Sequence, residues 1–331
     1  MKNPYRWQAG DTASNAEWDE LVEQANDGTM FQMKRFLEYH PNGKFIDGSL
    51  ALYKKGNLWG VFPAAVRERP GTAGESQQWL ISHPGASYGG IITRKIPAFD
   101  EAMAIGALLL ETAKTNGYSG IEITPPPLPY HNIPSDVWNF AFLQLGFQYR
   151  KRDYTQVVPL WTGDPLAAYD NKSCGALRHA EKEGVRIETV DLSEANWDIF
   201  HPMLVENRKK HNVTPAHTRT DLTVLTKLMP ERLRLYFAYD KANVVVAATL
   251  IFIANATIHL TFYIAHDRDR SDLKAVVPLN HYSIVQAQRE GAHWLDFGIS
   301  TVNGVPGDGL IRFKENFGAL GAWRDVYFFE L

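Results

Sequence analysis

An alternating run of charge, Asp267-Arg268-Asp269-Arg270-Ser271-Asp272-Leu273-Lys274, separates an apolar segment from a helical pattern that opens at Ala275. Backbone amides at a helix start, with the positive end of the helix dipole behind them, receive phosphate oxygens. Arg268, Arg270 and Lys274 would add charge-assisted donors, and Ser271 and Ala275 complete the candidate phosphate site. The same cations alternate with Asp267, Asp269 and Asp272, so the run reads equally as a solvated turn that neutralises itself.

Three further residues have types suited to proton transfer or charge stabilisation. Tyr263 lies in Leu260-Thr261-Phe262-Tyr263-Ile264-Ala265, where strand alternation sends it to one face and Phe262 and Ile264 to the other. A phenol there donates a proton to a leaving group or to developing negative charge, or else packs in the sheet with its hydroxyl satisfied internally. Asp296 ends the run Trp294-Leu295-Asp296-Phe297-Gly298, and such strand ends face a crevice in many open sheets. It either orients an attacking amine or caps the turn from Ser300 to Asn303. In Arg312-Phe313-Lys314, alternation sends Arg312 and Lys314 one way and Phe313 the other. Tyr88 precedes Gly89-Gly90, where glycine either lets backbone approach a ligand or supplies a turn dihedral.

His201, His211 and His217 are not spaced as a His-x-x-x-His pair, so the pattern predicts no metal. The single cysteine, Cys174, excludes an internal disulfide and a cysteine-based zinc site, and reads as a small buried residue fitting a reducing compartment.

The elements that must position these residues form a faint repeat. In the first half, helical patterns at 15–26 and 31–39 precede a hairpin of Gly48 to Lys54 and Leu58 to Arg67 joined by Lys55-Gly56-Asn57. A strand at Gln78 to Ser82, a helix at Ala98 to Asn116 and a strand at Gly120 to Thr124 follow. The second half repeats the order: strands at 233–240, 244–255 and 256–266, a helix at 275–290 and a strand at 293–298. Two lobes of one βββαβ fold account for this, joined by a strand at 154–158 and a charged helix at 171–183 that Gly184 ends.

A chain of 331 residues has room for two such domains, and an apolar fraction of 45% supplies their cores. The net charge of -3 provides no global field for a polyanion, which excludes a general DNA binder. Residues 1–11 lack the apolar core of a signal peptide, and no apolar run is long enough to cross a bilayer. The expected location is the cytoplasm, with no membrane span.

Several stretches taken together resemble the FemAB family within the GNAT superfamily. They are His83-Pro84-Gly85-Ala86-Ser87-Tyr88-Gly89-Gly90, similar to the family's Gly-Gly loop, and Leu177-Arg178-His179-Ala180-Glu181-Lys182-Glu183-Gly184-Val185, similar to its basic linker helix. The others are the Tyr263 segment, Gly291 with Asp296-Phe297-Gly298, and Gly309-Leu310-Ile311-Arg312-Phe313-Lys314-Glu315-Asn316-Phe317-Gly318. The resemblance implies an α/β fold of two GNAT-like lobes, 1–160 on the acceptor side and 161–331 on the acyl-donor side. It further implies an acyltransferase that moves an acyl group from acetyl-CoA or another acyl-CoA to an amine of a small-molecule or cell-envelope precursor acceptor. Lys314, Tyr263 and Asp296 would serve the reacting centre, and Arg219, Tyr88 and Arg312 the acceptor.

Two departures stand out. The usual GNAT acyl-CoA signature, Gln or Arg followed by Gly-x-Gly or Gly-x-Ala, is replaced by the charged run at 267–274. The inserted helical arm of some tRNA-dependent members is also lacking, which disfavours tRNA as a partner. The alternatives that stay open are a tRNA-dependent aminoacyl transferase acting on a peptidoglycan precursor, and a non-catalytic binding protein of the same fold.

Overall fold

The computed structural model describes residues 3–71, 74–161, 163–209, 212–302 and 304–331. The chain forms two compact units, residues 1–153 with 323–331, and residues 154–322. The contiguous division at 160 and 161 expected from sequence differs from this at both ends: residues 154–160 fall in the second unit, and 323–331 return to the first.

The first unit runs through β1 (Tyr5–Ala9), α1 (Asn15–Gln24), α2 (Lys34–Leu37), β2 (Ile46–Asp47), β3 (Leu50–Lys54), β4 (Asn57–Phe62), β5 (Ala64–Pro70), β6 (Ser76–Ser82) and β7 (Ile92–Thr93). It continues with α3 (Phe99–Thr115), β8 (Gly120–Ile123), α4 (Val137–Gln144) and the first half of β9 (Gln148–Pro159). The expected second hairpin strand, 58–67, is broken at Pro63, which has no N–H to give a ladder. On one side of that break β4 pairs β3 and β7, and on the other β5 pairs β6 and β2. Helix α3 buries Ala102, Ile105, Leu109 and Ala113, the spacing of one helical face, against Leu80, Ile121 and Tyr327.

The second unit opens with the remainder of β9 and continues through α5 (Asn171–Lys182), β10 (Arg186–Val190), α6 (Glu194–Lys209), α7 (Arg219–Leu228), β11 (Leu233–Tyr239), β12 (Val245–Ile253) and β13 (Ile258–His266). Then come α8 (Val276–Arg289), β14 (Trp294–Ile299), β15 (Thr301–Val302), β16 (Val305–Pro306), α9 (Asp308–Glu315) and β17 (Leu320–Glu330), whose residues from Trp323 onward belong to the first unit. Its strands are ordered β10-β11-β12-β13-β14-β9. Helix α8 packs Leu279 against Tyr236 and Ile251, and Ile284 and Ala287 against Leu295 and Phe297. The opposite face carries Phe252 and Tyr263 against His217 and Phe200.

The repeat is visible in strand register. In each unit a strand N-terminal to the long helix, β6 or β13, pairs in parallel with the strand after that helix, β8 or β14, over three residues. Ile81 sits opposite Glu122 in the first unit, and Leu260 opposite Asp296 in the second, each at the third position. The two carboxylates therefore occupy corresponding sites where the strands part.

Two local readings are corrected. Arg312-Phe313-Lys314 is the last turn of α9, not a strand, so Arg312 is exposed while Lys314 is buried. At Phe262 the pairing with β12 carries a bulge: Ile251 faces Thr261 and Leu250 faces Tyr263. The extra residue turns Phe262 to the same side as Tyr263, and both rings meet His217.

Because β17 supplies Tyr327, fully buried beside Phe142, and Asp325, bonded to Arg152 at 2.7 Å, deleting residues 323–331 should unfold the first unit selectively. Hydrogen exchange should show α3 and β8 losing protection while β11 to β13 keep it. Unchanged protection of α3 would contradict this.

Candidate active site

Where β14 leaves its parallel partner, a buried polar network holds the chain. Asp296 is fully buried, and its Oδ1 accepts from the Thr155 hydroxyl and from the Gly298 amide, both at 2.7 Å. The carboxylate thus caps the bend within its own strand, where Gly298 takes a φ of +75° that a side chain would strain. From sequence it either orients an attacking amine or caps the later turn from Ser300; Asn303 at the end of that turn lies outside the described residues.

Lys314 reaches the same bend from α9. Its Nζ donates to Gly298 O at 2.6 Å, Ile299 O at 3.0 Å and Ser300 Oγ at 2.8 Å. An ammonium has three hydrogens, and all three are accepted here. Ser300 Oγ in turn donates to Gln156 Oε1 at 2.6 Å, and Gln156 Nε2 donates to Ile311 O at 3.2 Å, closing the network onto α9. Burial holds the Lys314 pKa down to about 8, against the pull of the Asp296 carboxylate. A lysine poised near neutrality can give up or regain a proton. Thr155, Gln156 and Ser300 were missed from sequence, where the one signal is a pair of polar residues, Thr155-Gln156, directly before Val157-Val158.

Tyr263 is held differently. Its hydroxyl accepts from the His217 backbone amide at 3.1 Å and shares a bond of 3.0 Å with His217 Nδ1. Burial raises its pKa to about 12, so the phenol stays a proton donor at neutral pH. The registers put Tyr263, Leu260 and Asp296 on one face of the sheet, opposite α8. The Lys314 ammonium is bound to residues 298–300 and the Tyr263 hydroxyl to His217, so the structure joins Lys314 to the strand of Asp296 and leaves Tyr263 on its own partner. Sequence spacing gave no signal for His217.

In the 268–275 segment the structure sorts the candidate cations. Arg270 is spent in an ion pair with buried Asp240, and Arg268 donates to Asn207 O at 3.3 Å. Ser271 accepts from the Lys274 amide at 3.2 Å through its carbonyl. Lys274 is left-handed, at φ +55° and ψ +27°, and Ala275 is right-handed, at φ -58° and ψ -26°. Successive residues of opposite hand form a concave nest of amides that suits an anion. Among the described residues the amides of Ala275 and Val276 have no hydrogen-bond partner and Lys274 has no ion pair. Helix α8 carries no side-chain cap, with Pro278 in its first turn. The corresponding helix of the first unit, α3, is closed: Glu101 accepts from the Ala98 amide at 3.3 Å, and Tyr5 and Lys54 hold that carboxylate down to about 2. A phosphate would meet a negative charge there and open amides at α8.

The acceptor candidates are placed separately. Arg219 begins α7 and pairs with Asp198 at 2.7 Å and Glu194 at 3.5 Å, with Nη1 on Thr223 Oγ1 at 3.3 Å. Its charge is already matched at the surface. Arg312 is exposed. Tyr88, in the first unit, is buried edge-on against Phe31 and Tyr130, and Arg324 lies 5.2 Å from its ring centroid. Gly89 is required by packing, since a Cβ would meet Ser82 Cβ at 2.8 Å, and Gly90 by a φ of +93°.

Among the described residues no group of three or more His, Cys, Asp or Glu side chains is arranged to hold a metal, and His211 lies outside them. No helix of the described residues is long and apolar enough to cross a membrane.

Residues 172–314 match the family model described as an acetyltransferase (GNAT) domain. Among solved structures the chain is similar to FemX, with a TM-score of 0.74 and 15% identity over 98% of this chain and 97% of that one. It is also similar to L-PGS from Bacillus licheniformis, with a TM-score of 0.59 and 11% identity over 94% and 90% of the two chains. A third likeness is to a tandem GNAT protein from the clavulanic acid biosynthesis pathway, at 0.53 and 14% over 98% of each chain. No curated protein matches the sequence significantly.

The depressed Lys314 pKa fixes a sign. Between about pH 8 and the ordinary lysine value the unfolded chain binds the proton that the folded chain has lost, so this group makes stability rise with pH over that window. Lys314→Met should remove that contribution from the stability profile measured by denaturant unfolding. A variant profile parallel to wild type from pH 8 to 10 would contradict the assignment.

Proposed function

We propose that this chain, an acyltransferase of the GNAT superfamily with a FemAB-like pair of lobes, takes its acyl group from an acyl-CoA and passes it to an amine by direct attack. The observation that carries the donor reading is the amide nest at Lys274-Ala275-Val276, open at the start of α8 while the first unit's helix start is closed by Glu101. The CoA pyrophosphate fits there on two unpartnered amides, the helix dipole and the Lys274 ammonium. The thioester, when bound, supplies an activated acyl carbon.

The chain's own residues then align, donate and accept. Alignment alone is worth roughly 7 to 11 kcal/mol in such reactions. Tyr263, kept protonated by burial, is a donor for negative charge developing on the acyl oxygen or for the departing sulfur. Lys314, in the neutral form that its lowered pKa makes accessible, can take up the proton that the attacking amine sheds, and the nearby Asp296 carboxylate favours the ammonium so formed. In the second unit exposed Arg312 is kept as an acceptor contact, and Arg219 would first have to release Asp198; in the first unit Tyr88, itself buried, serves by holding Arg324.

A second reading, aminoacyl transfer from charged tRNA to a cell-envelope precursor, is favoured by the likeness to FemX and L-PGS over more than nine-tenths of this chain. Titration calorimetry separates the two. The acyl-CoA reading expects CoA binding that Lys274→Glu weakens about tenfold, roughly 1.4 kcal/mol, and no tight complex with aminoacyl-tRNA. Unchanged CoA affinity in Lys274→Glu would remove the site, and tRNA binding that falls steeply with salt would favour the second reading.

A further inference from the structure

Strand alternation in the first unit divides its sheet into two faces. Leu80, Ile121 and Tyr327 face α3. Their neighbours in register, Arg67 and Arg69 on β5, Glu122 on β8 and Arg324 on β17, face the other way. There they line a cavity of about 460 Å³, joined by Lys151 and Asp153 of β9 and closed at one end by residues 83–87 of the Gly-Gly loop. That volume suits a small organic ligand.

The charges on this face do not cancel. Glu122 is held by Arg69 at 2.8 Å and Arg150 at 3.0 Å, and Asp153 by Lys151 at 2.6 Å. Glu122 and Asp153 are therefore matched; Glu68 also lines the cavity, without an ion pair among the described residues, and two guanidinium groups remain against it. Arg67 lies over the Phe45 ring, 5.0 Å from its centroid, and makes no ion pair or hydrogen bond among the described residues. Arg324 stacks on Tyr88 and gives Nη2 to Ser87 O at 2.8 Å, but its buried Nε has no partner, and neither has the buried Nη1 of Arg69. A buried N–H without an acceptor costs about 1 to 3 kcal/mol. Aromatic stacking holds two planar forks in place with donors unspent, the form that recognises a carboxylate or phosphate in bidentate fashion. His83 at the loop end stays uncharged at neutral pH, since burial and the neighbouring His40 lower its pKa to about 4. It adds a polar ring without adding charge.

We propose that this cavity is a ligand site for a small molecule bearing a carboxylate or phosphate, held by Arg67 and Arg324, and that this molecule is the acceptor. The binding claim stands on the geometry of the first unit, and the acceptor role rests on the acyl-transfer reading. Calorimetry on the full chain with inorganic phosphate and, separately, glutarate, at constant ionic strength against sodium chloride, tests it. One of the two anions should bind with one-to-one stoichiometry, and the arm that binds identifies the oxyanion. Arg67→Ala, at an exposed residue with no partner to strand, should weaken that binding at least tenfold, and Arg324→Gln should do the same. Lys274→Glu should leave it unchanged. Binding of neither anion, or wild-type affinity in Arg67→Ala, overturns the proposal. Anion binding that survives in a protein with no affinity for CoA would instead overturn the donor reading and leave this site standing.

Discussion

A lysine ammonium can be buried only if its three hydrogens are all accepted, and in this protein that requirement shapes the end of β14. Lys314 finds its acceptors in two consecutive carbonyls and a hydroxyl of residues 298–300. The strand must bend to present them, Gly298 takes the left-handed conformation that allows the bend, and Asp296 caps it from inside. Helix α9 is docked by the same contacts, with Gln156 carrying the tie to β9. Removing one partner from a buried charge network leaves the others uncompensated, so structure and chemistry cannot be separated at this residue by a single substitution. The pH dependence of stability reports on its structural role, and the rate of the chemical step on the catalytic role proposed for it.

The two lobes share one strand-helix-strand plan and differ by small changes at equivalent places. Both units part their parallel strands after three residue pairs, and both carry a carboxylate at the parting point. Helix α3 closes its own start with Glu101, whereas α8 has Pro278 in its first turn and no side-chain cap. Between these two helix starts, unpartnered amides beside a left-handed residue are found at α8 and a carboxylate at α3. The first unit instead has an arginine-lined face, where stacking on Phe45 and Tyr88 fixes guanidinium groups in place.

Much of this order was legible in the sequence. The helices at 99–115 and 276–289 and the strands that follow them were read from spacing, because their buried residues recur on one face. The exceptions have physical causes. Short polar-apolar alternation in Arg312-Phe313-Lys314 looks the same in a strand and in the last turn of a helix. A bulge such as that at Phe262 depends on the partner strand. The ion-pair partners of Arg270 and Arg219, Asp240 and Asp198, carry no local sign because they lie 30 and 21 residues away. The return of residues 323–331 to the first unit is a tertiary choice with no local sign. Arg67 and Arg324, 257 positions apart, come to line one cavity only through the register of the sheet.

The central claim is that the open amides of α8 receive the donor's phosphates. Selective nitrogen-15 labelling of alanine and valine, followed by titration with CoA, reads those amides directly. The account predicts large shifts at Ala275 and Val276 that saturate together, with Ala98 at the start of α3 unmoved. Saturating CoA that leaves Ala275 and Val276 in place, or moves Ala98 instead, would contradict it.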